Sequence, residues 1–346
     1  MKQLILVIGA GQAGLAAGYY LLKAGLPFLI VDAHPRVGDS WRSRYDSLTL
    51  FTPRHFSSLP GLLLAGNREQ YPDRDEFATY LENYATRFKL PVRSGIGIAR
   101  LRKADDGGFL AQTQAGEQIW ASEVIVATGG FQQPIVPALS KNFATEVLQL
   151  TLQSYRSPKA LPDGPILIVG DGASGRDVAL ECQSRQQAML SCGTPRKLLP
   201  ERLLGKSLWW WLRLFGALTA SPNSWIGRKV RAADAFPDRG QGNEQLSLAG
   251  VRLMPRLVSA SGDTVEFSDG SSTRVRTVVW AIGYRDQTKW LEIPSALEQD
   301  GAFSHVEGVS PVAGLYFVGR PWQRNRASAL VMGAGPDAKF VVEEVL

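Results

Sequence analysis

The chain has 346 residues, 45% of them hydrophobic and 20% charged, which is enough to bury a full core in two domains and excludes a disordered chain. Its 38 Lys and Arg against 32 Asp and Glu give +6; the basic residues are scattered and no groove-binding motif accompanies them, so the charge suits phosphate-bearing cofactors and not nucleic acid. Two cysteines, Cys182 and Cys192, exclude a disulfide framework and a zinc constellation, and a reducing cytoplasm fits.

Met1-Lys2-Gln3 and the apolar run after it imitate a secretory signal, but Leu4 to Ile8 reads better as a buried parallel strand feeding a glycine turn. Gln12 to Ala24 follows as a helix closed by Gly25 and Pro27, then a strand from Phe28 to Val31, which makes a βαβ unit. Asp73 and Glu76 form a capping box, and Phe77, Tyr80, Leu81, Tyr84 and Phe88 keep helical spacing until Pro91. After a Pro-rich crossing the pattern restarts: strand Ile166 to Val169, helix Ser174 to Ser184, strand Ala188 to Ser191. Ser207 to Leu218 carries Trp209-Trp210-Trp211 between Lys206 and Arg213; it is too short to span a bilayer, and reads as a helix packed on its own domain or on a partner, a membrane surface or substrate entrance being the sharper alternatives. A strand at Thr277 to Ala281 closes the second unit, the chain returns to the first near Tyr284, and Gly314 to Gly319 supplies another strand before a last helix. The expected class is therefore α/β: two Rossmann-like domains, one over 1–160 and 285–346, the other inserted at 161–284.

Gly9-Ala10-Gly11-Gln12-Ala13-Gly14 lies between strand and helix, and Asp32 closes the next strand 18 residues after Gly14. Glycines there permit a tight turn, close backbone approach to a pyrophosphate and helix–strand packing, while the carboxylate accepts from a ribose hydroxyl. Gly170-Asp171-Gly172-Ala173-Ser174-Gly175 repeats the arrangement, but no acid ends its second strand; Thr194, Arg196 and Lys197 follow instead. That leaves a ribose 2′-phosphate unrepelled, with Arg196 and Lys197 either its partners or solvated surface charges. Two such sites imply two dinucleotides, commonly a resident FAD and a transient NADPH or NADH that reduces it.

Further stretches carry a resemblance: Gly38-Asp39-Ser40-Trp41-Arg42, Leu48-Thr49-Leu50-Phe51-Thr52-Pro53-Arg54 with Leu59-Pro60-Gly61, Tyr71-Pro72-Asp73-Arg74-Asp75-Glu76, Ala127-Thr128-Gly129, Trp280-Ala281-Ile282-Gly283-Tyr284, and Gly314-Leu315-Tyr316-Phe317-Val318-Gly319 leading to Arg326-Ala327-Ser328-Ala329-Leu330. With the glycine motifs, these make the chain similar to the bacterial flavin-containing monooxygenase-like family of class B flavoprotein monooxygenases, also described as flavoproteins linked to cation transport. The resemblance implies that Gly9, Gly11 and Gly14, with Gln12 and Ala13 in the same turn, and Asp32 hold the FAD diphosphate and ribose. It also implies that Trp41, Arg42 and Thr52 lie near the flavin, Trp41 and Thr52 being the flavin-proximal candidates, and that Ile98 meets the adenine through its backbone. Thr128 and Gly129 would link the domains, and a helix starting near Ala329 and Leu330, after Gly319 and Arg326, would point its positive end at the flavin ring. Gly170, Gly172, Ser174 and Gly175 would hold the nicotinamide cofactor, with Thr194 and Arg196 at its 2′-phosphate.

The chain departs from that family twice. Thr151 stands where relatives carry a fingerprint histidine, and Thr194 where they often carry an arginine for the 2′-phosphate, which leaves NADH use open. The implied chemistry is reduction of flavin by NAD(P)H, addition of dioxygen to give a C4a-peroxyflavin, and transfer of one oxygen atom to a small organic sulfide, amine or ketone. No protein nucleophile is needed and none is assigned: His34 flanks the ribose turn, His55 is structural or at the surface, and His305 packs before the last strand. The partners expected are a small-molecule substrate and dioxygen, without nucleic acid, bound metal or integral membrane segment; a homodimer stays open. A disulfide reductase would need a reactive cysteine pair. An accessory or sensor flavoprotein, or a plain NAD(P)H oxidase, remains the alternative.

Overall fold

The computed structural model describes residues 4–105, 107–193, 198–233 and 236–346. Two five-stranded parallel sheets organise it. In the first, Ile5–Ile8 is central, flanked by Phe28–Asp32 and Val92–Ser94 on one side and Glu123–Val126 and Leu315–Phe317 on the other. In the second, Ile166–Val169 is central, flanked by Ala188–Ser191 and Arg252–Met254, and on the other side by Thr277–Trp280 and Leu148–Thr151. The central strands are buried on both faces, which is why they read as unbroken apolar runs and not as alternation.

Each sheet is covered in the same way. Ile5 and Val7 face helices Gln12–Lys23 and Val331–Val345, while Leu6 and Ile8 face an antiparallel meander of Ile98–Lys103, Phe109–Thr113 and Gln118–Ala121. In the second unit Ile166 and Ile168 face helix Ala173–Gln183, and Leu167 and Val169 face a meander of Leu257–Ser261, Thr264–Phe267 and Ser272–Arg274. The meanders escaped the sequence reading, because short half-exposed strands joined by glycine turns carry weak periodicity.

One expected boundary moves. Leu148–Thr151 pairs in parallel with Thr277–Trp280, so the second sheet already holds a strand assigned to 1–160, and we place the crossover before residue 148. Tyr284–Arg285 pairs antiparallel with Gln133–Pro134, so the two connecting segments run as one short ribbon, and we place the return to the first unit there. Across the interface the Tyr45 hydroxyl donates to Asp177 at 2.9 Å and the Ser47 hydroxyl to Glu181 at 2.9 Å.

Candidate functional site

The two glycine loops share one geometry. Gly9 sits at φ +110°, where a Cβ would lie 2.6 Å from the Ala127 carbonyl, and a Cβ on Gly14 would lie 1.8 Å from the Gly9 carbonyl. The counterparts repeat this: Gly170 at φ +110° with 2.6 Å to the Ala281 carbonyl, and Gly175 with 1.9 Å to the Gly170 carbonyl. The middle glycines behave differently, since a Cβ on Gly11 or Gly172 would meet nothing within 4 Å. Outer glycines therefore close the loop on its sheet, and the middle one faces open space beside a helix start that no side chain caps. A helix N-terminus with unpartnered amides and a bare backbone in front of it fits a diphosphate, so the residues present suit the two dinucleotides.

Asp32 accepts from the Ala10 amide at 2.6 Å and from the His34 amide at 2.8 Å, with the His34 ring Nδ1 2.9 Å away. Burial alone would raise its carboxyl, but these bonds outweigh burial and hold it below the usual range, while the same contact raises His34. The backbone of Ile96 and Gly95 bonds Asp32 and His34, which brings the strand beginning at Ile98 to the expected adenine side.

Other expected residues gather around this loop. The Trp41 indole donates to Gln12 at 3.3 Å and packs edge-on against Phe77. A Cβ on Gly319, at φ +83°, would lie 2.7 Å from Ala13, so the loop before the last helix lies directly on the first. Leu330 caps that helix, Ala329 has φ +67°, and the Arg326 guanidinium lies over the Trp209 ring. Thr52 is buried, its hydroxyl 2.7 Å from that of Ser57. Arg42 is consumed by the protein, donating to Val37, Asp39 and Glu82, which makes it a brace for the 38–42 turn. Thr128 and Gly129 receive the Gln132 amide, and Arg320 donates to the Gly129 carbonyl at 2.7 Å while pairing with Asp286.

Arg320 had no local signal in the sequence, and neither did Arg176. Arg176 is buried behind the second loop; it donates to the Asp171 carbonyl at 3.0 Å, the Gln241 carbonyl at 2.8 Å and Asn243 at 2.9 Å, with the Asp171 carboxylate 3.6 Å away. The acid inside that loop is thereby neutralised from within, which removes its repulsion of a diphosphate. Ser174 lies in the first turn of helix Ala173–Gln183, beside the Tyr45 hydroxyl. Thr151 ends its strand by accepting the Tyr155 amide on its carbonyl. Thr194 and Arg196 lie outside the described residues. Among the described residues no group of His, Cys, Asp and Glu is arranged for a metal, and no helix is long and apolar enough to cross a membrane.

Paired parallel sheets, each ending in a glycine loop shaped for a diphosphate, define a two-dinucleotide oxidoreductase. The chain belongs to the pyridine nucleotide-disulphide oxidoreductase family, whose profile matches residues 6–194. It is 41% identical to the "Uncharacterized oxidoreductase CzcO-like" of Geobacillus kaustophilus over 99% of this chain and 98% of the relative. It is 25% identical to the indole-3-pyruvate monooxygenase YUCCA1 of Oryza sativa, over 98% and 90%. Its fold matches the flavin-containing monooxygenase of Stenotrophomonas maltophilia with a TM-score of 0.83 at 25% identity, covering 99% and 98% of the two chains. It is a flavin-dependent oxidoreductase of monooxygenase type, using FAD and a pyridine nucleotide. The disulphide chemistry in the family's description has no cysteine pair here: both thiols are free, and burial pushes Cys182 and Cys192 up to about 11.

Proposed function

We propose that this protein is an NAD(P)H-oxidising monooxygenase that delivers one oxygen atom of dioxygen to a small organic sulfide, amine or ketone. The observation that carries the reading is the pair of glycine loops, each closed by its outer glycines and open over the middle one. When bound, FAD would accept hydride from the nicotinamide and activate dioxygen. The chain's own work is binding and shielding. Gly9, Gly11 and Gly14 with the amides of Gln12 and Ala13 would hold the FAD diphosphate, and Asp32, locked by Ala10 and His34, its ribose. The helix capped by Leu330 would direct its positive end at the flavin, with Trp41 and Thr52 as walls. Gly170, Gly172, Ser174 and Gly175 would hold the nicotinamide dinucleotide, and Arg176 would keep Asp171 from repelling it.

Stopped-flow absorbance tests this. Protein reduced anaerobically with NADPH or NADH and mixed with oxygenated buffer should pass through a long-lived absorbance transient before the oxidised flavin spectrum returns, and decay of the transient should quicken with a sulfide or ketone. Direct return with peroxide in solution would instead establish an oxidase or accessory flavoprotein, the reading that Thr151 in place of the fingerprint histidine favours.

A further inference from the structure

Helix Trp225–Ala233 is poorly supported by its own protein. Gly227 is its single buried residue, yet an isolated helix of nine residues is marginal in water and needs a packed face. Its exposed side chains are Trp225, 63% exposed, and Ile226, followed by Arg228, Lys229 and Arg231. Helix Leu208–Leu214, just upstream, is half-committed in the same way. Trp209 is buried and donates to the Phe51 carbonyl at 2.7 Å, which answers the expectation of packing, but Leu214 and Phe215 on its outer side are exposed, Phe215 by 69%. Trp211 stacks on Phe215 and donates to the carbonyl of Leu203. That bond brings up the tip of the Arg202–Ser207 hairpin, where Leu204 is 83% exposed.

Charge decides what such a face would meet. Residues 202–233 carry six Lys and Arg and no Asp or Glu, where the chain's overall frequency would put about three acids. Arg202 pairs with Glu69, but Lys206, Arg213, Arg228, Lys229 and Arg231 have no carboxylate partner among the described residues. Two copies of this face would repel each other. A surface of anionic headgroups would satisfy the cations while accepting the aromatic and aliphatic side chains between them. The face also borders a cavity of about 500 Å³ between Phe56 and Trp210, whose lining includes Lys206, Arg213 and Leu214.

We propose that the hairpin tip, the outer side of helix Leu208–Leu214 and helix Trp225–Ala233 dock the protein peripherally on an anionic phospholipid surface. The test is co-sedimentation of the FAD-loaded protein with vesicles of neutral phosphatidylcholine and with vesicles containing 30% phosphatidylglycerol, where roughly that fraction supplies a strong surface potential. Binding is expected to the anionic vesicles alone and to weaken in high salt. Arg228→Gln with Lys229→Gln should lower the partition coefficient about tenfold or more, and Leu204→Glu with Phe215→Glu should abolish binding. All four positions are exposed, so flavin content and NAD(P)H oxidation in detergent-free buffer should stay unchanged in both variants. Equal binding to neutral vesicles, or binding to neither, overturns the proposal. So does a dimer in light scattering that the Leu204→Glu, Phe215→Glu variant dissociates, since the face would then be a contact between copies.

Discussion

Asp337 stands in the last helix with its side chain 1% exposed, and neither carboxylate oxygen receives a well-formed hydrogen bond, Ser328 being its nearest donor. Burial pushes its carboxyl from the ordinary 3.8 up to about 6; Ser328 and the Arg324 guanidinium, 3.9 Å away, oppose burial only in part. That displacement corresponds to about 3 kcal/mol. The sign follows from proton binding: between pH 4 and 6 the folded chain holds a proton that the unfolded chain has lost, so stability falls as pH rises through this window and the full penalty is present above it. Asp337→Asn keeps the shape and removes the charge. Urea unfolding of FAD-saturated protein should show the variant near wild type at pH 4 and more stable by about 2–3 kcal/mol at pH 8. A wild-type-minus-variant difference that does not change between pH 4 and pH 8 would refute the reasoning, because it would mean that Asp337 enters the fold with an ordinary carboxyl.

The glycine loops separate folding from binding. Gly11→Ala should melt within a few degrees of wild type, because its Cβ meets nothing, yet lose FAD on gel filtration, whereas Gly14→Ala should fail to fold because its Cβ overlaps the Gly9 carbonyl; loss of structure in the first would sink the reading. Arg176→Met removes a buried guanidinium from its bonds to the Asp171 and Gln241 carbonyls and to Asn243, so it should destabilise by about 3 kcal/mol and raise KM for NAD(P)H while FAD content holds. The His34 ring, raised by its bond to Asp32, should titrate above its ordinary range in NMR. Its contribution is fully present below the unfolded histidine value and lost as pH rises through the folded one, so His34→Gln should matter less at pH 9 than at pH 6, and the opposite order would refute it.

Much of this molecule is local in origin. The apolar runs Ile5–Ile8 and Ile166–Val169, the capping box at Asp73 and Glu76, and both glycine loops appear where the sequence predicts them, because strand burial, capping and tight turns depend on residues a few positions apart. Asp32 also follows from spacing, since the strand that carries it must end level with the loop. Other features needed the chain to fold first. Leu148–Thr151 joins a sheet through Thr277–Trp280, more than a hundred residues on, and no local pattern chooses between two parallel sheets with similar edges. Arg176 is one arginine among many until residues 241 and 243 close over it; Arg320 acquires a role only when Gly129 and Asp286 arrive. The tryptophan stretch shows the division within one helix: composition announces an apolar segment, but only its seat against Phe51 decides that Trp209 is core while Leu214 and Phe215 face outward. Periodicity is a property of neighbours in sequence, whereas burial, ion pairing and sheet order belong to neighbours in space.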